Sequence, residues 1–239
     1  MKKVFVGTMY CGEGDFDACC QAIINQKNVE IQHVIISNQP EKDAHNALWK
    51  SWRAVQYEGY DMFVKVDADT VLAHDEVLSE LGNMMSDNPR ITSIQAPLLD
   101  YFTDGNINGL NCFSPKVTFL DSKDPLFCDR QVDVGHDVTV KADGVVDRLK
   151  PAGYHCFRTN DKQSFHFGLH RALKNQIHII NSVKAAWKKN GDRQRALALL
   201  GALAAKKFST AASFNYEDDE FQNAFDYAVS NFEKLVVKI

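Results

Sequence analysis

Several features that define other classes of protein are missing from this chain of 239 residues. Its six cysteines form no C-x-x-C pair and lack zinc-knuckle spacing, so neither a dithiol redox motif nor a small zinc domain is indicated. No apolar stretch approaches the roughly 18 residues that a membrane-spanning helix needs. The formal net charge of -4 argues against a nucleic-acid binder that relies on bulk positive charge. No internal repeat or low-complexity segment is visible.

The amino-terminal segment 1–6 opens with two lysines, as an export signal does, but its apolar run breaks at Gly7. Acidic residues follow from Glu13 onward. This run is too short for the apolar part of a signal peptide. We therefore expect a cytoplasmic protein whose cysteines are reduced.

The first part of the chain alternates between strand and helix patterns. β-branched runs predict buried strands at Lys3–Thr8, Ile31–Ser37 and Met62–Val66. Apolar residues at helical spacing predict helices at Asp15–Gln26 and Asp43–Tyr57 between them. This alternation predicts an α/β fold with a parallel sheet and right-handed crossovers.

The pattern is weaker further along the chain. We predict a helix at Asp75–Met85, a strand at Ile91–Gln95 and a loop at Asp100–Gly109, which is rich in Asp, Asn and Gly. The stretch Asn111–Lys141 holds short apolar patches and several prolines, so mixed and partly irregular structure is expected there.

In the carboxyl-terminal part, apolar residues recur at the spacing that is typical of helices. Helices are predicted at Leu169–Lys188, Arg193–Lys207 and Asp218–Val237, with a turn around Gly191. We divide the chain into an α/β domain, residues 1–172, and a helical extension, residues 173–239. The extension carries no chemical motif, and we expect it to form a homodimer surface, hold the protein at a membrane surface or cover part of a site in the first domain.

Two carboxylates follow the third strand, in the triplet Asp67-Ala68-Asp69. Carboxylates this close raise each other's pKa unless a cation lies between them. Mg²⁺ and Mn²⁺ prefer oxygen ligands, and open α/β sheets bind ligands beyond the carboxyl ends of their strands. The alternative is a polar turn in which Asp69 caps the next helix.

The motifs resemble those of the GT-A glycosyltransferases, in particular the inverting "family two" group. The resemblance rests on Phe5–Tyr10 as first strand and nucleotide loop, on Ala44–Ala47, and on Tyr60–Asp69 as the run into the D-x-D motif. It implies a GT-A (Rossmann-like), mostly parallel sheet flanked by helices. It also implies a Mn²⁺ or Mg²⁺ ion that bridges the diphosphate of a nucleotide-sugar.

Two later segments extend the resemblance. Gly135-His136-Asp137-Val138 is similar to the family's G-E-D segment, which implies that Asp137 is the catalytic base. Ser164–Gly168 resembles its His-x-Gly element, which implies a metal or diphosphate role for His166. The chain departs from the family at Ser37–Pro40, where an Asp-rich nucleotide loop is usual.

The resulting expectation is transfer of a sugar from a UDP- or GDP-sugar to a saccharide or other hydroxyl acceptor, with inversion. Residues 1–172 would then be the GT-A nucleotide-sugar-binding and catalytic domain, with the acceptor site as the part that the helical extension could cover. The expected metal ligands are Asp67, Asp69 and His166, with His170 as the alternative histidine. The expected donor-binding residues, which include two basic residues near a helix start, are Thr8, Tyr10, Asn38, Asp67, Arg171 and Lys174.

Three other classes remain open. A haloacid dehalogenase-like phosphatase would use Asp67 as nucleophile and Asp69 as acid, with Asp218 and Asp219 as its later acidic pair. That fold normally begins with the strand that precedes the motif, whereas two strand–helix units come before it in this chain. Nucleotidyltransferases share the architecture, but their basic Gly-rich loop is missing. A non-catalytic carbohydrate-binding protein would not need the metal pair.

Overall fold

The computed structural model describes residues 1–124, 126–128, 135, 137–208, 216, 218–237 and 239. Within these residues, one sheet contains the strands β1 (Lys2–Tyr10), β2 (Val29–Ser37), β3 (Met62–Lys65), β4 (Thr70–Leu72), β5 (Ser93–Asp100), β6 (Gly105–Phe113), β7 (Thr139–Lys141) and β8 (Gly153–His155). The helices are α1 (Phe16–Ile24), α2 (Glu41–Val55), α3 (Val77–Asp87), α4 (Asp161–Leu173), α5 (Ile177–Asn190), α6 (Arg193–Ala204), α7 (Asp219–Ser230) and α8 (Phe232–Val236).

The sheet is mixed but mostly parallel. Its strand order is β2-β1-β3-β6-β5-β8-β4, with β7 beside β5. β1 runs parallel to β2 and β3, and β5 runs parallel to β7 and β8, whereas β6 lies antiparallel between β3 and β5 and β4 is antiparallel to β8. The predicted fold class, a mostly parallel α/β sheet flanked by helices with further helices at the carboxyl end, is confirmed.

Alternating side chains of the central strands pack into two hydrophobic cores, one on each face of the sheet. Val4 and Val6 of β1 face α1 and α3, in a cluster that also contains Ile23 and Leu81. Phe5, between those two valines, points to the opposite face of the sheet and packs with α2. This alternation is the period of two that a strand buried on both faces requires.

The two tryptophans of α2 occupy the second core. Trp52 stacks on Phe63 with ring centroids 5.4 Å apart, and Trp49 stacks on Phe119 at 4.2 Å. The aromatic cluster therefore attaches α2 both to the sheet and to the segment that follows β6.

The first five predicted elements are confirmed to within two or three residues, but the loop predicted at Asp100–Gly109 is wrong. A tight turn at 101–104 leads directly into β6, which hydrogen-bonds on both sides, to β3 and β5. Neighbouring strands on both sides supply partners for its backbone, so tertiary context overrides the weak strand propensity of an Asn- and Gly-rich sequence.

Two of the predicted carboxyl-terminal helices are broken. The predicted helix Leu169–Lys188 consists of α4 and α5, which are separated at 174–176, where Asn175 has a φ of 54°. The predicted helix Asp218–Val237 is divided at Asn231 into α7 and α8. The domain boundary at residue 172 stays a prediction. In the described part of the chain, no helix has the length and apolarity needed to cross a membrane.

Helices α4 and α6 cross at very close range through glycines. A Cβ on Gly168 would overlap the carbonyl oxygen of Ala198, and one on Gly201 would overlap that of Phe165. Phe165 and Leu169 of α4 share a core cluster with Leu197 of α6. The glycines allow the two backbones to approach closely enough to bury these side chains.

We expect Gly168→Ala to destabilise the protein. Helix propensity alone would make alanine more favourable by about 1 kcal/mol, but the overlap with Ala198 forces the helices apart. Overpacking of this kind costs roughly 1–3 kcal/mol in the free energy of unfolding, measurable by urea denaturation.

The matched control is Gly144→Ala, because a Cβ there meets no described atom within 4 Å. It should change the free energy of unfolding by no more than about 0.5 kcal/mol. Equal effects of the two substitutions would contradict the close crossing of α4 and α6.

Candidate active site

The carboxyl ends of the parallel strands meet at one edge of the sheet. β1 ends at Tyr10, β3 at Lys65, β5 at Asp100 and β8 at His155. The amide of Val66 still donates to the carbonyl of Gly7 at 3.0 Å, so the chain leaves the sheet just before the Asp-Ala-Asp triplet. This is the edge at which open α/β sheets bind ligands.

Asp67 is held by a lysine from its own strand. Lys65 Nζ lies 2.5 Å from Asp67 Oδ1. Burial would raise the pKa of Asp67, but the Lys65 ammonium outweighs it, and the pKa lies below its ordinary value. Asp67 is therefore ionised at neutral pH and fixed in orientation.

Asp69 faces a histidine that the prediction did not include. His155 Nε2 lies 3.5 Å from Asp69 Oδ2, and His155 Nδ1 lies 2.7 Å from Asp100 Oδ1. Gln163 of α4 also donates to Asp69 Oδ2, at 3.1 Å. Asp100 in turn accepts hydrogen bonds from the backbone amide and hydroxyl of Thr103. The carboxylate of Asp69 is thus bound by two elements distant in sequence.

Strand register brings this cluster together. β8 pairs in parallel with β5, with His155 opposite Asp100, and antiparallel with β4, with His155 opposite Thr70. The Cys156 amide donates to the Asp69 carbonyl at 2.8 Å, with Cys156 at a φ of 61°. His155 is therefore held between the two carboxylates by backbone pairing.

The cluster fits a divalent cation. Asp69, His155 and Cys156 each offer a ligand atom, and these atoms lie within 4.8 Å of one another. Asp69 Oδ1 is buried, and among the residues that the structure describes it has no hydrogen-bond partner. A buried carboxylate oxygen without a partner is costly, and a bound cation satisfies it.

The pKa of His155 is shifted strongly by the groups around it. Burial lowers the pKa of His155, but the negative charges of Asp69 and Asp100 outweigh it and raise the pKa to about 9. Without a metal, the imidazolium therefore supplies the positive charge between the two carboxylates.

A cavity of about 240 Å³ opens beside the cluster. The sheet edge contributes Tyr10, Glu13, Asp67 and Asp69, and the facing wall is α4. That wall carries four basic or titratable side chains, which are His166, His170, Arg171 and Lys174. Carboxylates on one side and cationic groups on the other suit a ligand that combines an anionic group with a metal ion.

The wall is not a helix start, and in this respect the prediction was wrong. α4 begins at Asp161, capped by Asn160, whose side chain accepts from the Gln163 amide at 2.8 Å. Arg171 and Lys174 therefore lie at the carboxyl-terminal end, where the helix dipole repels anions. Any anion binding here depends on the side-chain charges alone.

The two wall histidines stack on each other, with ring centroids of His166 and His170 5.3 Å apart. Burial, followed by the neighbouring Lys174 charge, lowers the pKa of His170 well below its ordinary value. His166 packs edge-on against Tyr216 at 4.9 Å. The group of potential metal ligands at Asp69 contains His155 and not His166. His166, the histidine that was expected to bind the metal, lines the cavity but lies outside this group.

The structure brings Tyr10, Asp67, Asp69, His166, Arg171 and Lys174 to one cavity. It does not bring Thr8 or Asn38 into the lining. Thr8 is fully buried, and its hydroxyl lies 2.9 Å from His33 Nε2. Asn38 is exposed in the left-handed conformation, with a φ of 55°.

Asp137 lies at the opposite edge of the sheet. Its neighbour Val138 accepts a hydrogen bond from the Ser93 amide, at the amino end of β5, where β7 also pairs. Asp100, which contacts His155, stands at the other end of β5. Asp137 is exposed and does not line the cavity. The base assignment to Asp137 stays a prediction, but a base must reach the reacting proton, and in this structure Asp137 does not line the cavity. His136, of the same segment, lies outside the described residues.

Several residues of the site were missed, namely Glu13, Lys65, Asp100, His155, Cys156 and Gln163. Asp100 had a weak signal in the sequence, because it follows the apolar residues Leu98 and Leu99, whereas His155 follows no such run. The aromatic residues Tyr101 and Phe102, which directly follow β5, do not line the cavity and are engaged in other contacts. Phe102 stacks on Phe167 at 4.1 Å, and Tyr101 donates to Asp192 at 2.7 Å.

Comparisons with known proteins give distant structural likeness only. No family model matches the chain, and no curated protein matches it. The crystal structure of A197 from STIV matches with 8% identity and a TM-score of 0.35. The match covers 48% of this chain and 65% of A197, which is just under two thirds of the length of A197. The mannosyltransferase PcManGT from Pyrobaculum calidifontis, in complex with GDP-Man and Mn²⁺, matches with 11% identity and a TM-score of 0.41, over 98% and 82% of the two chains. Likeness at this level does not decide the function.

The raised pKa of His155 predicts a pH dependence of the metal-free protein. A histidine whose folded pKa exceeds its unfolded value of about 6.5 stabilises fully below that value, and the contribution is lost as pH rises through about 9. In chelator, the free energy of unfolding of the wild type should fall between about pH 7 and 9, by at most about 1.4 kcal/mol per pH unit.

His155→Gln, which cannot take up a proton in this range, is the comparison variant. Urea denaturation at a series of pH values should show a shallower dependence for it than for the wild type. Parallel curves would mean that His155 is not charged between Asp69 and Asp100.

Proposed function

We propose that this protein is a metal-dependent glycosyltransferase, which moves a sugar from a nucleoside-diphosphate donor to an acceptor hydroxyl. The observation that carries the proposal is the arrangement of one cavity, with the Asp69–His155 cluster on the sheet edge and Arg171 and Lys174 opposite. Breaking the bond to a diphosphate leaving group requires that growing negative charge be stabilised, and this cavity offers the groups for it.

On the sheet side, Asp69 and His155 would hold a Mn²⁺ or Mg²⁺ ion. When bound, the cation would supply Lewis-acid stabilisation of the departing diphosphate. Asp67, kept ionised by Lys65, accepts hydrogen bonds or contributes a further oxygen ligand. Asp100 orients His155 by accepting from its Nδ1, so that Nε2 faces Asp69.

On the helix side, Arg171 and Lys174 would bind the diphosphate oxygens. The Arg171 guanidinium lies over the Phe167 ring at 4.9 Å and donates to Gln176 at 3.0 Å, so its plane is held in place. A planar guanidinium suits bidentate contacts with phosphate, and the lysine adds a point charge. Tyr10, which stacks on Phe16 at 3.9 Å, gives the donor's nucleoside a flat apolar neighbour at the end of β1.

Glu13 takes the place of Asp137 as candidate base in this proposal. It lines the cavity, and its carboxylate accepts from the Cys11 amide at 2.7 Å. Burial raises the pKa of Glu13, and the nearby Asp69 charge contributes to the rise. A raised carboxylate pKa favours proton removal from an acceptor hydroxyl and direct displacement with inversion.

The geometry of the site does not support the phosphatase alternative. Its later acidic pair, Asp218 and Asp219, lies at the start of α7, where Asp218 accepts from the Glu220 amide at 2.9 Å. Neither residue lines the cavity with Asp67. A non-catalytic carbohydrate-binding protein would not need the paired carboxylates and the cationic wall together.

Metal dependence of donor binding tests the proposal. UDP or GDP should bind the wild type at least about tenfold more tightly with Mn²⁺ than with chelator, a difference of about 1.4 kcal/mol by calorimetry. Asp69→Asn should remove that difference, because the neutral amide is a poor metal ligand. The matched control is Asp87→Asn, an exposed carboxylate at the end of α3, which should behave as the wild type.

Equal affinity with and without Mn²⁺ in the wild type would overturn the metal assignment. Slow hydrolysis of a nucleotide-sugar by the wild type, with no release of phosphate from aryl phosphates, is the expected catalytic result. Rapid aryl phosphate hydrolysis that is lost in Asp67→Asn would establish the phosphatase instead.

The base assignment is tested by a pair of isosteric substitutions. Glu13→Gln should lower kcat for transfer by roughly 10²–10⁴ with little change in donor affinity, the pattern of a group that acts in the transition state. Asp137→Asn should leave kcat within about twofold, because its position is at the far edge of the sheet. The reverse result would restore Asp137 as the base.

A further inference from the structure

A second group of metal-ligand side chains lies on the α2 side of the cavity and is not used in the proposed reaction. Glu41, His45 and Cys128 each offer one ligand atom, and the three atoms lie within 4.8 Å of one another. His45 and Cys128 are buried, and Glu41 is partly buried. We propose that these residues form a zinc site that is separate from the Asp69 cluster.

The local geometry of α2 prepares two of the ligands. Glu41 and His45 are four residues apart in the first turns of the helix, so their side chains lie on one face. His45 Nδ1 lies 2.8 Å from the backbone carbonyl of Glu41, which can only accept. The proton therefore sits on Nδ1, and Nε2 would be the nitrogen that binds zinc. Zinc-binding histidines commonly have this second hydrogen bond.

The tertiary structure brings the third ligand from far along the chain. The segment after β6 runs back along α2, with Trp52 donating to the Val117 carbonyl and Arg53 to the Phe119 carbonyl. Asn46, about two turns nearer the start of α2, exchanges two hydrogen bonds with Ser122. Further along the chain, the ligand atom of Cys128 lies within 4.8 Å of those of Glu41 and His45 in the first turns of α2.

His170 of α4 lies beside one of these ligands and would supply the fourth donor. Its Nε2 lies 3.4 Å from Glu41 Oε2. Two imidazoles, a carboxylate and a thiolate form the nitrogen, oxygen and sulfur set that zinc prefers in four-coordinate sites. On binding, the Cys128 thiol gives its proton to solvent, and the thiolate and the Glu41 carboxylate balance the dication.

A zinc ion here would join α2 and α4, which both line the cavity, to the segment that contains Cys128. These three parts of the chain would be fixed to one another by coordination, whatever reaction the cavity performs. Because structural zinc contributes directly to folded stability, the site is detectable without an assay of catalysis.

Cobalt substitution separates this site from the Asp69 cluster, which also contains a cysteine, Cys156. Full-length protein stripped with chelator and loaded with about one equivalent of Co²⁺ should show the visible absorption of tetrahedral cobalt and a near-ultraviolet thiolate charge-transfer band. Cys128→Ser should lose the charge-transfer band, whereas Cys156→Ser should keep it. Cys20→Ser, a partly buried thiol on α1, is the matched control and should also keep it.

Metal analysis and thermal melting complete the test. The wild type and Cys20→Ser should retain about one zinc ion per chain after gel filtration, and zinc should raise their melting temperature. Glu41→Gln, a milder change than Cys128→Ser, should weaken zinc binding at least about tenfold while its circular dichroism stays native. The proposal is overturned if the wild type shows no cobalt spectrum, if the band survives in Cys128→Ser, or if it is lost only in Cys156→Ser.

Failure of this test leaves the proposed function untouched, because donor binding and Mn²⁺ dependence rest on Asp69 and His155. Conversely, a zinc site confirmed by cobalt spectra would stand even if no nucleotide-sugar proved to be a donor. Neither result therefore decides the other.

Discussion

The close approach of three carboxylates at one edge of the sheet is the constraint on which the rest of the site depends. Asp67 and Asp69 follow β3, and Asp100 ends β5. The three converge there because β3 and β5 run in the same direction, each being antiparallel to β6. Like charges in a partly buried setting repel unless cations lie among them. Lys65 neutralises Asp67, and His155 bridges Asp69 and Asp100, so the metal-free protein already carries two compensating charges.

The carboxyl-terminal helices are part of the same arrangement. α4 reaches the sheet edge through Gln163, which donates to Asp69, and it is held there by its glycine-mediated crossing with α6. Arg195 of α6 contacts the backbone at Tyr101 and Phe102, immediately after β5. The helices that follow the sheet therefore determine how wide the cavity is and which charges face Asp69.

Sequence reasoning located the residues that lie next to one another in the chain. The D-x-D triplet stood out because a buried strand leads directly into two carboxylates. The basic cluster of α4 was also identified, although its place on the helix was wrong, because α4 begins at Asp161 rather than near Leu169. The partners of Asp69 were not identified, since Gln163 and His155 are joined to it only by register and packing.

The sequence by itself determined the order of the first three strands and the two helices between them, the α/β class of the fold and the strand that leads into the D-x-D triplet. These follow from periodicity and composition, which act over neighbouring residues. Tertiary structure alone decided which end of the sheet each later residue occupies. Asp137 and His155 are both close to short strands that pair with β5, yet they lie at opposite ends of it. Strand pairing over long sequence separations sets this difference, and no local pattern of side chains encodes it.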